Sequence, residues 1–177
     1  MHSENVSSAD NQQERLKLIG WIVGFVDGEG AFTISILKNP TSKTGWQVFP
    51  EFVVTQGAKS KEVLYELKDF FSCGNVYLNR RFDNHKEDIH RYCVRSLGDL
   101  YSIIIPFFVE SKLRTAKSRN FSLFVDVLNL IQKDKHLNLE GIEEIALIAK
   151  QMNRKVTPKF LESSHTIRRT ASTKKSD

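Results

Sequence analysis

Two acidic side chains, separated by a single glycine, are the residues of this sequence best placed to do chemistry. Asp27 and Glu29 follow residues 18–26, an almost uninterrupted run of apolar residues and glycines. A bilayer span takes about 20 residues, so this shorter run predicts a buried helix that Gly28 and Gly30 end. An acid at a helix C-terminus faces the negative end of the dipole, so a neighbouring cation is expected. The pattern predicts a divalent metal at the end of this helix.

Three glycines spaced by four residues lie along one face of the same predicted helix. Gly20, Gly24 and Gly28 each cost about 0.8–1 kcal/mol of helix stability against alanine. Close approach of a second helix backbone offsets such a cost. We therefore predict a helix–helix contact with the two acids at its lower end. The alternative is a core helix that tolerates glycine and is followed by a turn.

The composition narrows the class of protein without identifying it. The chain has 177 residues, a formal net charge of +5 and a pI near 9.2, which suits a polyanionic partner. Cys73 and Cys93 have neither metal-ligand spacing nor a disulfide framework around them, so we expect free thiols in a reducing compartment and no zinc. The sequence predicts no signal peptide and no membrane span.

The periodicity of apolar residues predicts helices and strands in the order αββαββα, followed by C-terminal helices. A disordered segment 1–10 precedes a domain over residues 11–162 and a basic flexible tail over 163–177, which either adds phosphate contacts or solubilises the chain. The predicted elements are a helix 11–27, strands 31–38 and 46–56, a helix 60–72 capped by Ser60, strands 75–82 and 89–96, a short helix from Asp99 that Pro106 stops, a helix 115–133, and a last helix capped by Asn138.

The predicted fold class is α+β, with one four-stranded antiparallel sheet that has helices on one face. Alternation places one set of side chains toward the core: Phe32, Ile34, Ile36, Phe52, Val54, Val76, Leu78, Tyr92 and Val94. The opposite face carries Thr33, Ser35, Leu37, Gln47, Phe49, Glu51, Val53, Tyr77, Asn79, Arg81, Arg91, Cys93 and Arg95. This second set suits contact with DNA base edges, and it equally suits an ordinary solvated sheet face.

One stretch carries a family resemblance. Residues 22–30, Ile-Val-Gly-Phe-Val-Asp-Gly-Glu-Gly, resemble the LAGLIDADG motif of homing endonucleases in its common form with a glycine between the acids. Residues 121–124, 136–141 and 152–154 resemble a family-typical C-terminal pattern, so the likeness covers about 16–155. The motif occurs once, as in the single-motif class that works as a homodimer and is encoded in group I introns. The resemblance implies that the sheet is a saddle in the major groove of DNA.

The activity that the resemblance implies is site-specific double-strand cleavage of DNA. The implied target is a long pseudo-palindrome of about two duplex turns, cut across the minor groove to leave short 3′ overhangs. Mg²⁺ is the implied cofactor, with Mn²⁺ able to substitute and Ca²⁺ binding without supporting cleavage. Double-stranded DNA and a second copy of the chain are the implied partners, with no membrane and no small-molecule cofactor. By the same likeness, the location is an organelle of a lower eukaryote, either mitochondrion or chloroplast.

The resemblance also implies roles for single residues. Glu29 matches the catalytic, metal-binding acid, where Asp is more frequent, and the Gly28 carbonyl is a second metal ligand. Gln56 matches a glutamine that positions water, and Lys117 matches a lysine that stabilises charge or activates water. Asp27 matches an acid with a mainly structural role, capping the partner helix or polarising the local backbone. The implied dimer interface comprises Gly20, Trp21, Gly24, Phe25 and Asp27.

Two features of the match stay open. Lys112 or Arg114 could take the place of Lys117, because the alignment slips there by a residue or two. The family example has an arginine four positions after the glutamine, where this chain has Ser60, so Lys59 or Lys61 would have to substitute.

Two other function classes compete with the nuclease. One is a non-catalytic DNA or RNA binder on the same fold, an intron maturase or a transcription regulator, and the other is an unrelated α+β binding domain. The presence of Glu29, Gln56 and Lys117 together favours the enzyme.

Overall fold

The computed structural model describes residues 3–80, 88–152 and 158–163, with side chains described from Asp10 onward. The helices and strands follow the predicted order. They are α1 (Ser3–Glu29), β1 (Gly30–Lys38), β2 (Trp46–Gly57), α2 (Glu62–Phe71), β3 (Asn75–Asn79), β4 (Ile89–Val94), α3 (Leu97–Asp99), α4 (Ile105–Glu110), α5 (Lys117–Gln132) and α6 (Leu139–Met152). No helix within the described ranges is both long enough and apolar enough to cross a membrane.

The strands form one four-stranded antiparallel sheet in the order β1-β2-β4-β3, which confirms the predicted α+β fold. Phe52 pairs with Val94 and Val54 with Tyr92, and all four of these side chains are buried. Along β1 the alternation is also as predicted, because Phe32 and the residues two and four positions after it are buried. In these strands the alternation of apolar and polar residues therefore indicates correctly which side chains face the core.

The chain divides into two compact units, and each has its own apolar core. The described parts of Met1–Ala31 and Phe52–Ser118 form the first unit. Its core is an aromatic cluster in which Phe52 packs against Phe71, Tyr92 and Phe108, with ring centroids 5.5–6.1 Å apart. The fully buried Tyr92 donates its hydroxyl hydrogen to the Cys73 carbonyl at 3.0 Å, so its polar end is satisfied.

The second unit comprises the described parts of Phe32–Glu51 and Arg119–Asp177. The Phe32 ring lies 5.0 Å from that of Phe121 and 5.4 Å from that of Phe124, which joins β1 to the buried stripe of α5. The predicted cap of α6 is confirmed, because Asn138 Oδ1 accepts a hydrogen bond from the Gly141 amide at 2.8 Å. Neither cysteine forms a disulfide bond, and Cys93 is buried.

Three predictions about helix boundaries were wrong. The first helix begins at Ser3 instead of Asn11, so residues 3–10 are helical where the sequence predicted disorder; extending a formed helix costs less than starting one. Ser60 makes no capping bond, since it lies in a 3₁₀ turn and α2 begins after Lys61. The helix from Leu97 continues through Pro106 to Glu110, because a π-helical turn over Leu100–Ile104 puts the proline in the first turn of α4, where no amide hydrogen is required.

One prediction about the edge strand β3 was also wrong. Leu78 was expected to face the core, but it is 47% exposed, because β3 is an edge strand that ends one residue later. Arg81 and the tail from residue 164 onward lie outside the described residues, so their predicted roles stay predictions.

Candidate active site and nucleic-acid interface

The C-terminal end of α1 carries the acidic motif, and a lysine from the same unit covers it. We call Val26–Glu29 the foot of α1. A helix end leaves carbonyl oxygens without partners, and here the Lys117 ammonium donates to the carbonyl oxygens of Val26 at 2.9 Å and Gly28 at 3.0 Å. The cation expected near the helix C-terminus is thus supplied by the chain itself, at the first residue of α5.

Asp27 is held by the segment that leads into α5. Its Oδ2 atom accepts from the backbone amides of Arg114 at 2.9 Å and Thr115 at 3.0 Å, and its Oδ1 atom accepts from the Thr115 hydroxyl at 2.7 Å. Burial alone would raise the pKa of Asp27, but these hydrogen bonds and the Lys117 charge outweigh it and bring the pKa below its ordinary value. These contacts hold Asp27 within its own chain, and the predicted role of capping a partner helix or polarising the local backbone stays a prediction.

Glu29 contrasts with Asp27, although only Gly28 separates them. Glu29 is exposed, and within the described residues its carboxylate has no hydrogen-bond partner. Burial lowers the pKa of Lys117, and the nearby carboxylates of Asp27 and Glu29 partly oppose that shift, which places Glu29 within electrostatic reach of the ammonium. The foot therefore has one hydrogen-bonded acid, Asp27, and one acid without a described partner, Glu29, and the partly buried amine of Lys117 lies beside them.

The donor set at the foot fits a hard divalent cation but is incomplete in a single chain. The Glu29 carboxylate and the Gly28 carbonyl are oxygen ligands of the type that Mg²⁺ prefers. No three His, Cys, Asp or Glu side chains in the described part of the chain are grouped to hold a metal. Gly28 O also accepts from Lys117, so a metal at this carbonyl would share it with the ammonium. Further ligands would have to come from water, a nucleic-acid phosphate or a second copy.

The other predicted active-site residues are less tightly placed. Gln56 lies near the end of β2, opposite His90 of β4, and the described residues give its side chain no hydrogen bond. Lys61 pairs with Glu62 at 3.8 Å, whereas the side chains of Lys112 and Arg114 are exposed. Of the three candidates from 112 to 117, Lys117 is the one whose charged group reaches the foot.

The side chains predicted to contact DNA are mostly accessible, with two exceptions. Ser35, Leu37, Gln47, Phe49, Tyr77, Asn79 and Arg95 are exposed, and Thr33, Glu51 and Arg91 are half-buried. The expectation that Val53 and Cys93 are open to DNA was wrong, because they are only 6% and 3% exposed. They are cross-strand partners with short side chains on the two inner strands, each of which has a neighbouring strand on both sides.

The described residues leave the glycine face of α1 uncovered. A Cβ atom built on Gly20, Gly24 or Gly28 would meet no described atom within 4 Å. Beside these glycines, Trp21 is 39% exposed and stacks on Phe25 with ring centroids 5.3 Å apart. Gly30 differs, because a Cβ there would lie 2.8 Å from the Val26 carbonyl oxygen. Among the described residues, a side chain would therefore clash at Gly30 and meet open space at the other three glycines.

Thr115 is the functional residue that the sequence analysis missed. Its hydroxyl oxygen accepts from the Lys117 amide at 3.2 Å, which satisfies a free N–H in the first turn of α5. A threonine two residues before the first helical residue is a recognisable capping signal. That signal would have found the residue, whereas its contact with Asp27, 88 positions away, has no local signature.

Comparison with known proteins identifies the family. Residues 22–128 match the model of the LAGLIDADG endonuclease family. A protein named probable intron-encoded endonuclease 2 of Neurospora crassa is 33% identical over 126 residues, which cover 71% of this chain and 27% of that protein. This chain therefore spans about a quarter of that relative's length.

Solved structures agree with this match. The homing endonuclease I-TnaI superimposes with a TM-score of 0.75 at 35% identity, covering 84% of this chain and 97% of that chain. The I-LtrWI LAGLIDADG homing endonuclease bound to target DNA also gives a TM-score of 0.75, at 31% identity, covering 82% of this chain and 48% of its own. With its single motif at residues 22–30, this chain belongs to the LAGLIDADG endonuclease family.

Proposed function

We propose that the chain is a divalent-metal-dependent, site-specific double-strand DNA endonuclease. The observation that carries the proposal is the foot of α1, where the open Glu29 carboxylate lies within electrostatic reach of the Lys117 ammonium. Phosphodiester hydrolysis needs a positioned water, a cation at phosphorus and help for the leaving oxygen. An exposed acid beside a fixed amine, at a helix end that also offers carbonyl oxygens, supplies the protein's share of these needs.

Each residue of the site has a role in this proposal. Glu29 and the Gly28 carbonyl would hold Mg²⁺, which when bound lowers the pKa of a coordinated water and neutralises phosphate charge. Lys117 donates hydrogen bonds toward the same space and stabilises the charge that develops on the phosphate. Gln56 orients the attacking water through its amide group. Mn²⁺ is proposed to substitute for Mg²⁺, and Ca²⁺ to support binding without cleavage.

We further propose that the active form is a homodimer joined through the glycine face of α1. Gly20, Gly24 and Gly28 leave open space that none of the described residues fills, and the exposed Trp21 lies beside them. A second α1 helix packed here would bring two Glu29 side chains together. This chain matches about half of the DNA-bound I-LtrWI chain, a span that two copies would double. Sedimentation velocity on the purified protein tests this assembly.

The symmetry of a homodimer has consequences for the target. A twofold axis in the protein is mirrored in the DNA, so the proposed site is a pseudo-palindrome. Two adjacent active sites would cut both strands across the minor groove and leave short 3′ overhangs. Exposed side chains such as Gln47 on the sheet and Arg95, the residue after β4, would read base edges in the major groove. An organelle of a lower eukaryote is the proposed location, in line with the intron-encoded relative from Neurospora.

The deciding experiment is cleavage of a randomised duplex library in Mg²⁺, in Mn²⁺ and in Ca²⁺. Cutting at one long near-palindrome in Mg²⁺ but not in Ca²⁺ supports the proposal and yields the target sequence. Glu29→Gln removes the carboxylate charge and keeps the shape, so cleavage should fall to background while DNA binding, measured by fluorescence anisotropy, persists. Glu14→Gln, at another exposed acid of α1, is the matched control and should cut normally.

The opposite results are equally informative. Cutting by Glu29→Gln at the wild-type rate would refute the metal site. If the wild-type protein binds DNA in Mg²⁺ without cutting it, the proposed nuclease is refuted in favour of a non-catalytic binder, a maturase or a regulator. RNA would then be the next ligand to test.

A further inference from the structure

We propose that Thr115 is a positioning residue that holds the Lys117 ammonium at the foot of α1, with Asp27 as the fixed anchor. The inference deepens the proposed nuclease function, since it explains how Lys117 reaches its place. Thr115 itself touches neither the open Glu29 carboxylate nor the space beside it among the described contacts, so it acts through another residue.

The Thr115 hydroxyl joins two elements that are distant in sequence. It donates to Asp27 Oδ1 at 2.7 Å, and its oxygen accepts from the Lys117 amide at 3.2 Å. The Thr115 amide adds a bond to Asp27 Oδ2 at 3.0 Å. One hydroxyl group therefore ties the end of α1 to the backbone of the residue that carries the amine.

The lysine side chain alone would not fix the ammonium position. Lysine has four rotatable bonds, and its ammonium is a compact charge that water hydrates well. In this structure the same ammonium reaches two carbonyl oxygens, at 2.9 Å and 3.0 Å, which requires the backbone at residue 117 to stay close to the foot. The Asp27–Thr115 contact keeps it there. Without the hydroxyl, Asp27 loses its shortest bond and the Lys117 amide loses its acceptor.

The test compares Thr115→Val, which keeps the side-chain shape and removes the hydroxyl, with Thr115→Ser, which keeps the hydroxyl. Ser118→Ala is the matched control, because Ser118 is an exposed hydroxyl residue in the first turn of α5 whose side chain makes no described bond. Three quantities are measured: the single-turnover cleavage rate in Mg²⁺ at saturating protein, the DNA dissociation constant in Ca²⁺, and the acetylation rate of Lys117 in the free protein, followed by peptide mass spectrometry.

We expect Thr115→Val to lower the saturated cleavage rate by about 10- to 100-fold, because small displacements of catalytic groups cost rate in that range. Its dissociation constant should stay within about twofold. Lys117 should react with acetic anhydride about threefold faster or more, since an amine released from its carbonyl partners is more accessible to the reagent. Thr115→Ser and Ser118→Ala should behave like the wild-type protein in all three measurements.

Several outcomes would overturn the inference. An unchanged Lys117 acetylation rate in Thr115→Val would do so whatever the cleavage rate, and so would a loss of DNA affinity with an unchanged saturated rate, which indicates a purely structural role. Failure of Thr115→Ser to restore both readouts would also contradict it. If the wild-type protein does not cleave DNA, the proposed function fails, while the acetylation comparison still decides the role of Thr115.

Discussion

The foot of α1 and the outer face of β3 and β4 are both polar surfaces of the same unit, yet they are built differently. At the foot, Asp27 and Lys117 each make at least two hydrogen bonds at or below 3.0 Å with groups distant in sequence. On the strand face, Tyr77 and Arg95 are exposed, and the contact between them is an Arg95 guanidinium carbon 5.6 Å from the Tyr77 ring centroid. The first surface is held by short hydrogen bonds before any ligand arrives, whereas Tyr77 and Arg95 on the second are open to solvent.

This difference corresponds to two physical tasks. Stabilising charge in a transition state requires donors that are already oriented, because reorganisation during the reaction costs rate. Reading a DNA groove requires side chains that adapt to base edges, bridging water and DNA shape together. The comparison therefore predicts that substitutions at the foot change cleavage rate strongly and uniformly, whereas substitutions on the face change the preference for particular bases.

The largest effect is expected at Lys117. Lys117→Met keeps most of the side-chain length and removes the charge and both carbonyl bonds, so the saturated cleavage rate should fall about 100-fold or more, as for other lost charge-stabilising donors. Single-turnover kinetics on the target duplex measures this. Lys112→Met is the control, since its side chain is exposed and no described contact joins it to the foot. A larger loss for Lys112→Met would reverse the assignment of the catalytic lysine.

The sequence predicted the two acids and the strands because these depend on local patterns, whereas Lys117 was assigned only by the family resemblance, with Lys112 and Arg114 as alternatives. Period two placed Phe32, Phe52 and Tyr92 in the core, and it required only that one face of a sheet be apolar. The network at the foot joins Asp27 to residues 87 and 88 positions away, and no local pattern encodes such a pairing. The burial of Val53 was missed for a related reason, because alternation assigns a face but not whether a strand has a neighbour on both sides.

The next largest effect concerns base preference on the strand face. Removing the guanidinium in Arg95→Ala should relax discrimination at one base-pair position per half-site by about 1–3 kcal/mol and leave the other positions unchanged. Cleavage or binding of a library of single-base variants of the target measures this. Lys150→Ala, an exposed cation of α6, is the control. A uniform weakening across all variants by Arg95→Ala would mean that Arg95 contacts phosphate, and the proposed division of tasks would not hold there.

A smaller effect is expected on stability at Asp27. Asp27→Asn weakens a carboxylate that accepts from two backbone amides and a hydroxyl, so the free energy of unfolding should drop by about 1–2 kcal/mol at neutral pH. The pKa of Asp27 is lowered in the folded chain, so this advantage of the wild-type protein is complete well above the unfolded value of about 3.9 and is lost as the pH falls through the folded pKa. Urea unfolding at pH 7, 5 and 3 measures it.

The control for this experiment is Asp126→Asn, at an exposed acid of α5. Its stability should stay within about 0.5 kcal/mol of wild type at every pH. A stability difference for Asp27→Asn that grows toward low pH would contradict the hydrogen-bonded, ionised state that the structure gives this carboxylate.

The smallest effect distinguishes a buried position of the sheet from an exposed one. Cys93 is buried opposite Val53, so Cys93→Ala should lower the free energy of unfolding by about 1 kcal/mol and leave base preference unchanged. Ser35→Ala, at an exposed position of β1, should lower the free energy of unfolding by less than about 0.5 kcal/mol, whereas a change in base preference is allowed there. Urea denaturation and the single-base library measure the two quantities on both variants. If Cys93→Ala changes base preference while stability is kept, the side chain reaches DNA despite its burial, and the face is more adaptable than its packing in the free chain indicates.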